Sequence, residues 1–503
     1  MTDVRSTANS RVSVPAQSTG EAYIDTAAYA AALEEPQTSI RSHGYEPRGL
    51  DSIPESPMFT GRFGRMFRHA EPFIPDLGLI DRLAKEVSEP TTPGTDFDNP
   101  DFPAGYTFLG QFIDHDLTFD PVSSFERQND PDALTDFRTP RFDLDSIYGR
   151  GPVDQPYLYD RSENGEKFRI GGHGNVADLP RDDQGVALIG DPRNDENLIV
   201  SHIQLTMLKF HNKVVDWLRR PENNVHRRAG EDTFTAAQRL VRWHYQWVAL
   251  HDFLPRVVDR EILDDVVIRE PLVPGGMPAD RARLTFFSWQ NQPFMPVEFS
   301  VAAYRFGHSL VRPGYTLNPD VGFKPIFTAE SAHKNPHAHL GGFRPFPDGW
   351  QIKWPLFFRI GDDAEDPQFG RKMDRFLSPP LLDLPPEQAE GINNLAKRNL
   401  LRGARLGLPS GQDTARAMGV APLTGDGLPD PAPLWYYILR EAEKTGKLGP
   451  VGGRIVAEVF AGLLSDDPAS YLSTEPGWTP VLGAGPKGRF TMSDLIAFTG
   501  FAV

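Results

Sequence analysis

Asp114, His115 and Asp116 stand consecutively in LGQFIDHDLTFDP, residues 109–121, an otherwise largely apolar segment that carries Gln111 just ahead of them. Two carboxylates around one imidazole can hold a metal, serve a general base, or close a buried hydrogen-bond network. The segment by itself leaves all three open. A second block, GDPRNDEN at 190–197, sets Arg193 and Glu196 just before a long apolar-periodic run. A carboxylate near a helix start suits the dipole and the capping hydrogen bonds, which accounts for Glu196 and leaves Arg193 unexplained. A third block, AAYRFGHSLVRP at 302–313, places His308 on an apolar helical stretch, as a core histidine or as a ligand. In RTPRFDLDSIYG, residues 138–149, Thr139, Asp143 and Asp145 alternate with the backbone carbonyl of Arg141 between them. Alternate hard oxygens suit calcium, which takes about 6–8 oxygen ligands. The loop lacks the glycine and terminal Glu of an EF-hand, and a solvated acidic loop is the other reading.

The elements that must position these groups read as mainly α. Ile199, Ile203, Met207, Val214 and Leu218 repeat at helical spacing and predict a core-crossing helix over about 198–218. A second helix starts at Asp232 as N-cap, carries Phe234, Ala237, Val241 and Val248, and stops at Pro255. Further helices are expected at 298–311, 387–405, 433–446 and 453–465, and strands are few and short. Up to about Gly190 the chain is rich in Pro, Gly and Asp, which predicts long ordered loops around short helices. Residues 1–55 are polar and aperiodic and read as a flexible or wrapping arm, leaving 56–503 as the catalytic domain.

Bulk properties narrow the chemistry. The chain has 503 residues, 39% of them hydrophobic, enough to bury a large interior. Its formal net charge of -16 argues against nucleic acid, whose binding depends on clustered Lys and Arg, and favours a small-molecule partner. There is no cysteine, so disulfides, thiolate catalysis, iron–sulfur clusters and thiolate-ligated haem are excluded, and any metal must sit on His, Asp, Glu or carbonyl oxygen. No apolar run approaches a membrane span, and the N-terminal residues lack the apolar core of a signal peptide. A cytoplasmic or non-classically exported protein is expected.

The blocks LGQFIDHD, DPRNDEN, YRFGHSLVRP and RNLLRGARLGLP occur in the order and approximate spacing of the animal-type haem peroxidases, the peroxidase–cyclooxygenase superfamily, and the chain resembles that family over roughly residues 60–410. The resemblance implies a mainly α domain that binds haem b. His115 then matches the catalytic base beside the haem, Arg193 the arginine that stabilises charge as the O–O bond breaks, and Gln111 the glutamine that positions water or halide. His308 matches the iron ligand and Asn399 the residue accepting its other ring proton, while Arg305 and Arg402 match positions near the haem propionates. Asp114 and Glu196 occupy positions that form ester links to haem in mammalian relatives; Asn197 stands where one relative has a sulfonium-forming methionine, so that link is not expected. The family also binds calcium through the acidic loop, which here implies Asp116, Thr139, Arg141 (carbonyl), Asp143 and Asp145.

Two departures matter. Ala404, Arg405 and Leu406 replace the family's common Arg, Asp and His run, so the polar network there must differ. The oxygenase branch keeps a radical-forming tyrosine three residues before the ligand histidine, where this chain has Arg305; Tyr304 is one step earlier. On a helix that step turns the side chain by about 100°, so Tyr304 need not face the haem, which favours a peroxidase. The expected activity is reduction of hydrogen peroxide with oxidation of small organic donors or (pseudo)halides. The alternatives are a fatty-acid oxygenase of the same superfamily, a non-haem metal-dependent hydrolase built on the Asp-His-Asp block and acidic loop, and a haem-binding protein without catalysis.

Overall fold

Ile199, Ile203, Met207, Val214 and Leu218 share one helix, Leu198–Leu218, but most other residues on it are buried as well. A helix apolar on one stripe lies at a surface; one covered nearly all round crosses the core. The computed structural model describes residues 61–90, 97–118, 135–136, 139–173, 176–271, 276, 278–287, 293–328, 334–361, 364–385, 392–483 and 489–501. The expected arm, 1–55, lies outside them. The main helices are α1 (Leu77–Glu86), α2 (Gly105–Leu117), α3 (Leu198–Leu218), α4 (Thr233–Val248), α5 (Leu395–Arg405), α6 (Leu434–Ala442) and α7 (Pro450–Ser465). α3 packs between α2 and α4, while α5 joins α1 to α6, which in turn meets α7.

Local chemistry sets the helix ends. Asn197 caps α3 by accepting from the amides of Ile199 and Val200, and Asp232 caps α4 through Thr235. The predicted stop at Pro255 is not a stop: α4 widens into a π-turn, Ala249–Phe253, and closes as Leu254–Val257. Pro255 thereby falls at the start of a new turn, where its missing N–H leaves no bond unmade. α5 begins later than the expected 387 because Asn394 caps it by accepting from Lys397; residues 386–391 lie outside the described ones. α7 begins earlier, at Pro450, since the buried Glu441 carboxylate of α6 accepts the amides of Val451 and Gly452.

The stretch expected as one helix over 298–311 is instead a π-turn, Glu298–Ala302, followed by a 3-10 segment, Ala303–Leu310. The buried Glu298 carboxylate accepts the amides of Met66 and Phe67, and Arg305 Nε donates to the Ser300 carbonyl, which pulls this backbone off a regular α path. Strands among the described residues form small two- or three-stranded sheets; Gly61–Gly64 sits between Thr135–Asp136, antiparallel, and Met295–Pro296, parallel. No helix of the described residues is long and apolar enough to cross a membrane.

Candidate active site

α2 can enter the core because Gly105 starts it close against Phe357 and Phe358: a Cβ there would lie 2.3 Å from the Phe358 ring and 2.7 Å from the Phe357 carbonyl. The last turn of α2 carries Asp114, His115 and Asp116. Arg193, in the 3-10 turn Pro192–Asp195, pins that turn by donating from Nη2 to the His115 carbonyl at 2.8 Å while Nε and Nη2 hold the Asp191 carboxylate. Arg193 is thus ion-paired and buried, and it does not line the neighbouring cavity.

The His115 ring is fully covered; Nδ1 meets Asn194 Oδ1 at 2.8 Å, and Nε2 lies 3.5 Å from Glu196 Oε1. Glu196 in turn lines a cavity, together with Gln111 and Asp114. Gln111 Nε2 donates to Glu196 Oε1, and Gln111 Oε1 accepts from Asn197 Nδ2 at 3.0 Å. Burial, helped by the Arg193 charge, pulls the His115 ring down to about 4, and burial pushes the Glu196 carboxyl up to about 8 against the opposing pull of Arg193. Both groups are neutral at pH 7.

The same cavity is bounded on another side by the 3-10 segment that carries Arg305 and His308. Asn399 of α5 meets His308 Nδ1 at 2.9 Å. Here the amide Nδ2 faces the ring, the reverse of the acceptor role expected for Asn399. A half-turn of the amide presents Oδ1 instead and leaves the Nε2 lone pair for a metal. Burial and the charges of Arg305 and Arg398 keep the ring deprotonated, with its pKa lowered to about 3. Arg398 lines the cavity; Arg402, one turn later on α5 and expected at the propionates, does not. Tyr304 does line it, its hydroxyl donating to the Gly110 carbonyl at 3.2 Å. The 3-10 geometry brings consecutive residues 304–308 to the wall, so the one-residue offset that seemed to exclude Tyr304 carries no weight.

Residues 126–346 match the family model for animal haem peroxidase. Over those residues the chain is similar to the animal haem peroxidases. It is 24% identical over 323 residues to "Heme peroxidase 2" of Caenorhabditis elegans and 26% identical over 288 residues to a "Peroxidase-like protein" of Margaritifera margaritifera. Those matches take in 57% and 47% of this chain but 40% and 35% of the relatives, so less than half of each relative is spanned. The fold of this chain is similar to that of peroxidase A from Dictyostelium discoideum, with a TM-score of 0.60 at 16% identity over 87% of this chain and 93% of that one. It is also similar to the fatty acid alpha-dioxygenase of Arabidopsis thaliana, with a TM-score of 0.54 at 16% identity over 81% and 74%.

The residues present fit haem. The cavity is largely apolar, holds one imidazole braced from behind by Asn399, and carries Arg305 and Arg398 on its wall, as a flat ring with two carboxylates needs. The acidic loop converges too: ligand oxygens of Asp116, Asp143 and Asp145 lie within 4.8 Å of one another. Burial and the neighbouring Asp143 and Asp145 charges push the Asp116 carboxyl up. Thr139 Oγ1 donates to Asp143 Oδ2 at 2.6 Å, and Arg141 lies between them in sequence.

Sequence reasoning missed Arg398, although it opens the RNLLR block. Arg398 and Arg402 share a helix face at i, i+4, and spacing cannot rank them. It also missed Phe343, a cavity residue held at φ 55°.

Proposed function

We propose that the chain is a haem-dependent peroxidase that reduces hydrogen peroxide and oxidises small organic donors or (pseudo)halides. One observation supports this best: a single apolar cavity is bounded by His308, braced through Nδ1, and by Glu196, whose carboxyl leads to the buried neutral His115. When bound, haem supplies the redox-active iron at which peroxide is reduced. His308 Nε2 would hold the iron, with Asn399 turned to accept from Nδ1–H, and Arg305 and Arg398 would offset the propionates. His115 takes the proton of the incoming peroxide and returns it to the departing oxygen. Until it is esterified, Glu196, neutral and bonded by Gln111, stands between Nε2 and the cavity and carries the proton across that gap. Arg193 acts through its field, holding His115 neutral, and through its grip on the α2 carbonyl.

We further propose calcium at Asp116, Asp143 and Asp145 with Thr139 and the Arg141 carbonyl, tying α2 to the loop, and ester links from Asp114 and Glu196, both on the cavity wall. Acid-solvent extraction after peroxide treatment that released all haem unmodified would remove the ester links. The test of the function is the absorption spectrum of the haem-supplemented protein followed by stopped-flow mixing with hydrogen peroxide. A Soret band with a rapid peroxide-dependent shift, lost in His115→Ala, is expected; absence of the band defeats the proposal. Tyr304 on the cavity wall supports a second reading, fatty-acid oxygenation, which oxygen uptake with linoleate detects.

A further inference from the structure

The tautomer of His115 is written into a buried chain of amides. Starting from its far end, the Ser146 main-chain carbonyl accepts from Gln204 Nε2 at 3.3 Å. A main-chain carbonyl can only accept, so the nitrogen of the Gln204 amide must face it and the oxygen must face the other way. That oxygen accepts from Asn194 Nδ2 at 2.8 Å. With its nitrogen committed, Asn194 turns Oδ1 to His115 Nδ1 at 2.8 Å. An amide oxygen cannot donate, so the imidazole must. Asn194, Gln204, Ser146 and His115 are each fully buried, out of reach of bulk solvent.

We infer that Asn194 and Gln204 are positioning residues that place the proton of neutral His115 on Nδ1 and keep the Nε2 lone pair aimed at Glu196 and the cavity. The inference deepens the peroxidase reading and rests on it only for its kinetic consequence; the tautomer is a property of the polypeptide. A base with its proton on Nε2 would present a donor to the cavity and could not accept there. The chain also has a second anchor. Ser146 Oγ donates to Asp116 Oδ1 at 3.1 Å, so the residue that orients the amides is held by the carboxylate next to His115. The proposed cation cluster therefore steadies both ends of the loop running from His115 through Asn194, Gln204 and Ser146 back to Asp116.

Neither Asn194 nor Gln204 touches the cavity, which separates this role from substrate binding. The side chains of the two residues come together with His115 from three elements: the 3-10 turn Pro192–Asp195, α3 and α2.

The experiment is two-bond proton–nitrogen NMR of the full chain labelled with 15N-histidine, in the diamagnetic ferrous carbonyl form or, should no haem bind, in the chain alone. His115 is assigned from the signals missing in His115→Gln. The expected spectrum has a protonated Nδ1 and an unprotonated Nε2. Asn194→Leu and Gln204→Met are expected to raise the Nε2–H form, and Asn194→Asp, whose carboxylate still accepts at Nδ1, to keep the wild-type form. With haem bound, Asn194→Leu should slow the reaction with hydrogen peroxide about 10–100-fold, the usual size of such outer-residue effects, with donor KM unchanged. A wild-type His115 protonated on Nε2 overturns the inference without any variant having to fold; so does an unchanged tautomer in Asn194→Leu. If the tautomers follow expectation while the wild type is inert to peroxide, the inference stands and the peroxidase reading falls.

Discussion

His115 Nε2 faces Glu196 Oε1 across 3.5 Å, and of the two residues only Glu196 reaches the cavity wall. The base and the substrate space are therefore separated by a carboxyl group that is neutral at pH 7. Proton transfer between them depends on the charge state of both groups.

That dependence sets a pH profile. His115, lowered to about 4, is a free base above that value, so the rate of reaction with peroxide is expected to fall only as the pH drops through about 4. Unesterified Glu196, raised to about 8, is protonated below that value; its ionisation removes the carboxyl proton and changes the rate again near pH 8. Stopped-flow rates across this range should show both limbs in the wild type, and Glu196→Gln should lose the upper one alone. An upper limb that survives in Glu196→Gln would assign it to another group.

Removal of the ligand histidine tests the other wall. His308→Ala is expected to abolish the Soret band of the haem-supplemented protein, whereas Asn399→Leu should retain it with haem affinity lowered about 10–100-fold. Haem titration followed by absorbance distinguishes the two, and an intact band in His308→Ala would move the iron to a different residue.

The carboxylate cluster predicts a coupling of calcium to pH. Asp116 has its carboxyl pKa raised in the folded state, so the stability of the ion-free protein is fully present below the unfolded value of about 4 and is lost as the pH rises. Chelated protein should melt higher at about pH 5 than at about pH 8. Calcium at about 100 times its Kd should add about 2.7 kcal/mol. Thermal melts with and without chelator measure both effects, and a melting temperature indifferent to calcium at either pH would leave the cluster as an acidic loop.

Gly342 closes the turn that holds Glu196. Its amide donates to the Glu196 carbonyl at 2.9 Å, and an added Cβ would lie 1.8 Å from the Asp195 carbonyl oxygen. Gly342→Ala is expected to cost about 2–3 kcal/mol, since backbone rather than a flexible side chain must give way. Thermal or denaturant unfolding reads this directly, and a loss below about 0.5 kcal/mol would mean that the turn is not held against Asp195 as described.

Tyr304 separates the two chemistries proposed for the cavity. Tyr304→Phe removes the hydroxyl that bonds Gly110 and should leave peroxide-dependent oxidation of a small donor within about 3-fold. Oxygen uptake with linoleate that is present in the wild type and absent in this variant would favour the oxygenase reading.

Much of this protein was readable from residue order alone. Local bonds decide where a helix begins, so Asp232 announced α4 at the right residue, and the apolar spacing announced α3 over 198–218. Residues close in sequence stay close in space, and so the Asp143–Asp145 loop and the Asp114–Asp116 triplet kept their neighbours. The four blocks were enough to place His115, Glu196, His308 and Asn399 around one site. Tertiary structure decided what spacing cannot encode. It committed Arg193 to Asp191 and the His115 carbonyl, because a buried guanidinium takes the nearest carboxylate. Burial of Glu298 against Met66 and Phe67 drew residues 298–310 off an α-helical path and carried Tyr304 to the cavity. The contact of His115 with Asn194, 79 residues away, and of Asn194 with Gln204 exists only once three separate elements pack together, since hydrogen bonds between distant residues are selected by the fold and not by the spacing of their letters.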